Sequence, residues 1–143
     1  MEKNYEMLKL GNQLCFPLYA CSREIVKKYH PLLDEIGLTY TQYIVMLVMW
    51  EDRKISVKQL GERLYLDSGT LTPVLKSLEA KGFVTRRRSA EDERVLIVEL
   101  TEEGESLRET AVDIPPRIGC CVQLTPDEAG ELYRLLYKIL GGM

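Results

Sequence analysis

The chain has 143 residues, is 45% hydrophobic and carries a net charge of −3, a size that favours one compact domain over two. Because no apolar run is long enough to span a bilayer and the N-terminus lacks the order of a signal peptide, we expect a cytoplasmic protein without a membrane partner. The four cysteines and single histidine lack zinc-site spacings, and no nucleophile–base motif or phosphate loop is present, so we expect no metal, no cofactor and no enzyme chemistry.

The N-terminal third is predicted to be helical. A long helix covers residues 10–29, and a short one covers residues 30–36, because the proline near its start is tolerated in a first helical turn. An apolar helix over Tyr43–Trp50 follows, with Thr39 or Thr41 as its N-cap. We expect this apolar helix to lie in the core.

The segment from Ile55 to Thr101 predicts a helix-turn-helix followed by a basic hairpin. Apolar residues recur at helical spacing in two short helices, the first capped by Ser56 and the second capped by Asp67 and ended by Gly82. Pro73 lies inside the second helix, where a proline removes a hydrogen bond or causes a kink. The opposite face of this helix carries short polar side chains and one cation, namely Ser68, Thr70, Thr72, Lys76 and Ser77. Such a face is typical of a helix that reads the DNA major groove.

Two predicted strands, residues 83–88 and 94–100, flank a polar loop over residues 89–93. A basic hairpin directly after a polar-faced helix indicates a winged helix, whose wing lies along the phosphate backbone or enters a minor groove. The wing residues expected to take part in DNA binding are Arg86, Arg88, Asp92 and Arg94. Asp92 is expected to orient Arg94. The alternative is an ordinary helix pair with a solvated surface hairpin.

The charges are distributed unevenly along the chain. Ten basic and six acidic residues lie between Arg53 and Arg94, which gives this segment a charge of +4 and leaves −7 for the rest. A positive lobe favours binding to a phosphate backbone, and an acidic remainder limits non-specific association with nucleic acid.

The C-terminal segment is predicted to return to helix. One helix opens at Thr101 and is interrupted at Pro115-Pro116, and another starts at Thr125, where an N-cap, a proline and two acids follow one another. The terminal helices carry more apolar surface than a small winged helix needs. We therefore expect a homodimer whose recognition helices lie about one DNA turn apart and read a pseudo-palindromic operator, although these helices could instead complete a monomer core.

Cys15 is the candidate sensor of oxidants. Phenol groups can hydrogen-bond to a thiolate and stabilise its reactive form, and Tyr19 lies one turn from Cys15. Tyr29 lies fourteen residues from Cys15, which is roughly 21 Å along one continuous helix. It could then reach only the cysteine of an antiparallel partner helix. The alternatives are that Cys15 is a small buried hydrophobe and that Tyr29 and Tyr40 are ordinary interface residues.

Several of these motifs resemble the MarR family of winged-helix transcription regulators. Asp92-Glu93-Arg94 and the strand after it resemble the wing signature of that family. Leu66–Pro73 resembles the recognition helix of its organic hydroperoxide regulator (OhrR) class, and so does Asn12–Phe16 with the three tyrosines behind it. The resemblance covers nearly the whole chain and weakens after about Pro116.

The resemblance implies a fold that is mainly α with a small β-hairpin. This fold is a winged helix-turn-helix with N- and C-terminal dimerisation helices. It would form a single MarR-type domain over residues 1–143, with a helical dimerisation region at residues 1–50 and 102–143 and a DNA-binding lobe at residues 51–101.

The resemblance also implies a repressor that leaves its operator when an organic hydroperoxide oxidises Cys15. In the OhrR class, tyrosines matching Tyr29 and Tyr40 bond to the cysteine of the other subunit. A resolving thiol comes from the region of Cys120 and Cys121, with Cys120 the better match, or a small thiol takes its place. Two alternatives stay open: a regulator that binds a small aromatic ligand in the interface cleft while Cys15 is inert, and a thiol peroxidase.

Overall fold

The computed structural model describes residues 2–143, which fold into seven α-helices and one three-stranded antiparallel sheet. The helices are α1 Cys15–Asp34, α2 Tyr40–Asp52, α3 Val57–Leu64, α4 Ser68–Ala80, α5 Glu102–Ala111, α6 Ile114–Gly119 and α7 Pro126–Gly141. The strands are β1 Lys54–Ser56, β2 Val84–Arg88 and β3 Leu96–Leu100, and two 3₁₀ turns, Tyr5–Leu8 and Leu10–Asn12, precede α1. No helix in this part of the chain is long and apolar enough to cross a membrane.

Helix α1 begins at Cys15 and continues past Pro31. The predicted start at residue 10 and the predicted break at Pro31 are therefore both wrong. Pro17 is the third residue of the helix, where a backbone N–H has no intrahelical partner to lose. Pro31 does remove one hydrogen bond, but the turn around it is held by tertiary packing, because Leu33 is buried in the core. One uninterrupted helix therefore runs from the cysteine to the core.

Helix α2 starts earlier than predicted because a capping box forms in front of it. Thr39 accepts a hydrogen bond from the backbone N–H of Gln42, and the Gln42 side chain accepts one from the backbone N–H of Thr39. The first helical residue is therefore Tyr40. The caps that form as predicted elsewhere are Ser56 on α3, Asp67 on α4 and Thr125 on α7.

The sheet contains the predicted hairpin and one further strand. Strands β2 and β3 form the hairpin, and β1 pairs with the other edge of β3. Ile55 pairs with Val98, and both residues are buried. Strand β1 has only three residues and therefore gives no alternating pattern in the sequence. Its pairing attaches the start of the helix-turn-helix directly to the wing.

One hydrophobic core runs through helices α1 to α6 and the sheet. Helix α2 lies at its centre, where Val45, Met46 and Met49 are fully buried, and it packs against α1 on one side and against α3, α4 and the sheet on the other. Helix α2 thus joins the two regions predicted at residues 1–50 and 51–101. The molecule is mainly helical with a small sheet, which confirms the predicted fold class.

The C-terminal helices differ in how they pack. The predicted interruption at Pro115-Pro116 is confirmed, because α5 ends before these prolines and they occupy the first turn of α6. The Trp50 indole donates to the Gly104 carbonyl at 2.9 Å, which attaches α5 to α2. Helix α7 has no buried residue, and its exposed apolar side chains are Leu132, Tyr133, Leu135, Tyr137 and Ile139.

Candidate DNA-binding surface and thiol site

The outer face of α4 is polar and exposed. Leu71, Leu75 and Leu78 are buried and anchor the helix against the core. The Asp67 carboxylate accepts a hydrogen bond from the backbone N–H of Thr70 at 2.7 Å, which fixes the first turn. The exposed face presents Ser68, Thr70, Thr72 and Lys76. A row of hydroxyls with one cation matches the donor and acceptor pattern of base edges in a major groove.

Pro73 does not interrupt α4. The carbonyl that its missing N–H would have bonded belongs to Gly69, which is exposed, so water can take the place of the lost donor. The neighbouring Thr72 hydroxyl donates to the Ser68 carbonyl at 2.7 Å. Thr72 therefore presents a methyl group and an acceptor oxygen at the exposed face, because its hydroxyl proton is already used.

Ser77 does not lie on the exposed face where the sequence placed it. Its hydroxyl accepts a hydrogen bond from the Gln42 side-chain amide at 2.9 Å, and the Lys81 ammonium donates to the Gln42 side-chain oxygen at 2.8 Å. These contacts hold α4 against α2. The sequence did not indicate them, because a capping-box glutamine looks the same whether it is buried or solvated.

At the tip of the wing, Asp92 holds Arg94 in a fork. The Asp92 carboxylate accepts bonds from Nε of Arg94 at 3.1 Å, from its Nη2 at 3.2 Å and from its backbone N–H at 3.0 Å. These hydrogen bonds hold the pKa of the Asp92 carboxyl below its usual value. The Arg94 side chain is 90% exposed, so its guanidinium is oriented and also free to meet a ligand. Arg88 is exposed on the same wing.

Arg86 is placed differently from the other wing arginines. Its Nη2 lies 3.1 Å from Oε1 of Glu79, its backbone N–H donates to Oε2 of Glu79 at 3.0 Å, and its side chain is only 18% exposed. These bonds lower the pKa of the Glu79 carboxyl. Because Glu79 belongs to α4 and Arg86 to β2, the pair clamps the wing onto α4. The structure does not bring Arg86 to the surface where Arg88 and Arg94 lie.

Three tyrosines from α1 and α2 form what we call the tyrosine cluster. The ring centroids of Tyr29 and Tyr40 are 4.9 Å apart, and that of Tyr43 lies 5.7 Å from Tyr29 and 6.2 Å from Tyr40. Burial raises the pKa of Tyr29 to about 12, with a smaller contribution from the other two phenols. Burial also raises the pKa values of Tyr40 and Tyr43. Neutral phenols keep their O–H groups as hydrogen-bond donors.

Tyr43 also belongs to this cluster and is 3% exposed. Its position in an apolar stretch predicts a core residue and does not by itself indicate a role in the site. The available signal was its i+3 spacing from Tyr40, which places both phenols on one face of α2.

Cys15 is the first residue of α1 and is exposed. The residue before it, Leu14, provides no side-chain cap for the helix. Tyr19 is also exposed, and its ring centroid lies 5.5 Å from the Arg23 guanidinium. Cys15 and Tyr29 are separated by about 21 Å along α1, so one chain does not bring the thiol to the tyrosine cluster.

The other thiols are exposed and free as well. Cys120 and Cys121 directly follow α6. Cys120 Sγ lies 3.5 Å from the Pro116 carbonyl, and Cys121 Sγ lies 3.8 Å from the Arg117 carbonyl. Both sulfurs are therefore accessible to a thiol or sulfenic acid from outside this chain.

Known proteins resemble this chain over most of its length. A family profile described as "Transcriptional regulator SarA/Rot" matches residues 27–110. The organic hydroperoxide resistance transcriptional regulator of Bacillus subtilis is 50% identical over 140 residues, which covers 98% of this chain and 95% of that protein.

Among solved structures, AbfR of Staphylococcus epidermidis is similar in more than one state. Overoxidized AbfR and reduced AbfR, both bound to DNA, each give a TM-score of 0.80 at 38% identity, with 96% of either chain covered. Disulfide-formed AbfR gives a TM-score of 0.65 at 37% identity, covering 96% of this chain and 93% of that chain.

The geometry and these similarities agree. The polar face of α4, the wing clamped to it by an ion pair and the three-stranded sheet form a winged helix-turn-helix. The chain therefore belongs to the MarR family of winged-helix transcription regulators and, within that family, to the organic hydroperoxide regulator class.

Proposed function

We propose that the protein is a cytoplasmic, dimeric repressor that binds a pseudo-palindromic operator and leaves it when an organic hydroperoxide oxidises Cys15. The observation that carries this proposal is the uninterrupted helix α1, which starts at Cys15 and bears the tyrosine cluster toward its other end. An antiparallel second copy would bring each cysteine to the tyrosines of the other. The name of the Bacillus subtilis relative supports the response to organic hydroperoxides. The DNA-bound structures of AbfR support the binding of an operator.

DNA recognition is assigned to the exposed face of α4 and to the wing. The residues assigned to base edges in the major groove are Ser68, Thr70, Thr72 and Lys76. Arg88 and Arg94 would contact phosphates or the minor groove, and Asp92 sets the direction of the Arg94 guanidinium. Arg86 instead positions the wing, because a phosphate contact would require it to leave Glu79.

Dimerisation is assigned to the helical region at residues 1–50 and 102–143, with α2 shared between it and the DNA-binding lobe at residues 51–101. Helix α7 exposes a stripe of apolar side chains and buries none within the chain. Leu14 and Phe16, beside the candidate sensor, are exposed as well. Covering this apolar surface with a second copy removes it from water, which stabilises association.

The first chemical step transfers one oxygen atom to Cys15. Its thiolate attacks an oxygen of the hydroperoxide, so that an S–O bond forms while the O–O bond breaks. The sulfur loses two electrons, and the remaining fragment takes up a proton and leaves as the alcohol. Hydrogen bonds from the partner subunit's Tyr29 and Tyr40, with Tyr19 nearby on the same helix, would stabilise the attacking thiolate.

The sulfenic acid then condenses with a thiol, forming an S–S bond and releasing water. We assign the resolving thiol to Cys120 of the other subunit, with Cys121 as second choice and a small thiol as the third route. At nearly equal identity, this chain is more similar to DNA-bound AbfR than to disulfide-formed AbfR, which supports a change of conformation on disulfide formation.

Operator affinity before and after one equivalent of cumene hydroperoxide tests the proposal. We expect the parent protein to be released and Cys15→Ser to stay bound. Release of Cys15→Ser as readily as the parent would overturn the thiol mechanism and favour the alternative of a small aromatic ligand in the interface cleft.

Non-reducing gels of the oxidised protein separate the resolving routes. A disulfide between subunits predicts a dimer band that is lost in Cys120→Ser or in Cys121→Ser. A small-thiol adduct predicts monomer bands in the parent and in both variants, with the added mass on Cys15.

A further inference from the structure

Gln42 is the one polar residue that is buried among residues 2–143, with 6% of its surface exposed. Every polar atom of its amide group is engaged. Nε2 donates to the Ser77 hydroxyl at 2.9 Å, and Oε1 accepts from the Thr39 backbone N–H at 3.0 Å and from the Lys81 ammonium at 2.8 Å. A buried amide whose nitrogen and oxygen are both hydrogen-bonded is costly to disturb, because a broken bond leaves a desolvated polar atom.

These bonds join two parts of the molecule with different assigned roles. Gln42 and Thr39 form the start of α2, whereas Ser77 and Lys81 lie at the C-terminal end of the recognition helix α4. The Lys81 ammonium also donates to the Gly37 carbonyl at 2.6 Å, in the corner between α1 and α2. The end of α4 is therefore tied to this corner by side-chain hydrogen bonds, in addition to apolar packing.

The same turn of α2 carries two members of the tyrosine cluster. Tyr40 and Tyr43 flank Gln42, and the ring of Tyr40 lies 4.9 Å from that of Tyr29 on α1. The phenol side chains of Tyr40 and Tyr43 project from one side of this turn, and the Gln42 amide projects from another side. Because a hydrogen-bonded helical turn moves as a unit, a displacement of the phenols displaces the Gln42 amide with them.

We propose that Gln42 is a positioning residue that couples the tyrosine cluster to the recognition helix. This inference rests on the proposed function. In the reduced protein the phenols are held by the partner's thiolate, and the bonds of Gln42 keep α4 in the orientation that fits DNA. Oxidation replaces that thiolate with a larger, uncharged sulfur group, the phenols move, and Gln42 carries the movement to Ser77 and Lys81.

The test compares two substitutions that keep the size of the side chain. Gln42→Met fills the same space but can neither accept from Thr39 and Lys81 nor donate to Ser77. Gln42→Glu keeps the acceptor for Thr39, pairs with the Lys81 cation and can accept from the Ser77 hydroxyl. The quantity measured is the ratio of operator dissociation constants of the oxidised and reduced forms, together with the rate of Cys15 oxidation by cumene hydroperoxide.

We expect Gln42→Met to lower this ratio roughly tenfold while the oxidation rate stays within about twofold of the parent, and Gln42→Glu to keep the parent ratio. A purely structural role predicts a different result, because it would weaken both forms equally and leave the ratio unchanged. That result would overturn the inference while leaving the proposed function intact. If peroxide does not release the parent protein, the proposed function fails, and the inference fails with it.

A second pair of variants covers the case in which Gln42→Met does not fold. Lys81→Met and Ser77→Ala remove the contacts on the α4 side and leave the capping box of α2 untouched. Each is expected to lower the ratio in the same direction, and Lys54→Met, at an exposed lysine on β1, is the control. Parent-like ratios in both Lys81→Met and Ser77→Ala would also overturn the inference.

Discussion

Replacing Arg94 should reduce the salt dependence of operator binding by an amount that follows from the geometry of the wing. The Arg94 side chain is 90% exposed, and two hydrogen bonds to Asp92 hold its guanidinium in one orientation. A dimer has two wings, so Arg94→Ala removes two cations from the phosphate backbone. Each phosphate contact contributes about −0.9 to the slope of log K against log salt concentration, so the slope should become shallower by roughly 1.8.

The assay is fluorescence anisotropy with a labelled operator, at salt concentrations from about 0.05 to 0.3 M. Arg87→Ala is the matched control, because Arg87 lies on strand β2 of the same wing but its guanidinium is 3.6 Å from the Glu99 carboxylate. We expect the slope of this control to change much less than that of Arg94→Ala. An unchanged slope and affinity in Arg94→Ala would refute the assignment of the wing to DNA binding.

Three further outcomes are expected. Gly104→Ala should lower the free energy of unfolding in urea by about 1–3 kcal/mol, because its Cβ would collide with the Phe83 carbonyl, whereas Gly119→Ala, whose Cβ meets open space, should not. The raised pKa of Tyr29 means that the folded chain holds this proton more tightly than the unfolded chain, so stability present below pH 10 should be lost toward pH 12. If the Tyr29→Phe variant loses as much unfolding free energy between pH 10 and pH 12 as the parent does, the burial of Tyr29 is contradicted. Native mass spectrometry at micromolar concentration should give a dimer, and a monomer would remove the basis for a cross-subunit site.

Features that depend on local chemistry were predictable from the sequence. Ser56, Asp67 and Thr125 cap their helices because a short polar side chain next to a free helix end needs no distant partner. The polar face of α4 follows from the helical spacing of its apolar residues, and the wing follows from the two strand segments that come directly after it in the sequence. The Asp92–Arg94 pair is also local, since the two residues are separated by one position.

Features that depend on tertiary packing were not predictable in the same way. Pro31 signals a helix break, and the helix passes it because Leu33 is anchored in the core. Arg86 looks like any other wing arginine until Glu79 of α4 is seen beside it. Ser77 has the composition of a DNA-facing residue, yet it turns inward because Gln42 offers it a buried partner. In each of these cases the deciding contact comes from another element.

The most direct test of the sensor is to separate the cysteine and the tyrosines between the subunits of a dimer. In one heterodimer, the first subunit carries Cys15→Ser and the second carries Tyr29→Phe with Tyr40→Phe. In the other heterodimer, one subunit carries all three substitutions and its partner is unchanged. Each heterodimer contains one Cys15, and the rate of oxidation of this residue by cumene hydroperoxide is measured by peptide mass spectrometry.

A site shared between subunits predicts that the first heterodimer reacts at the rate of an intact site, because its remaining Cys15 faces unaltered tyrosines of the other subunit. The second should react more slowly by roughly tenfold or more, since a hydrogen bond to a charged group contributes about 1.5–3 kcal/mol. The opposite order of rates, with the first heterodimer slow and the second fast, would contradict the cross-subunit sensor.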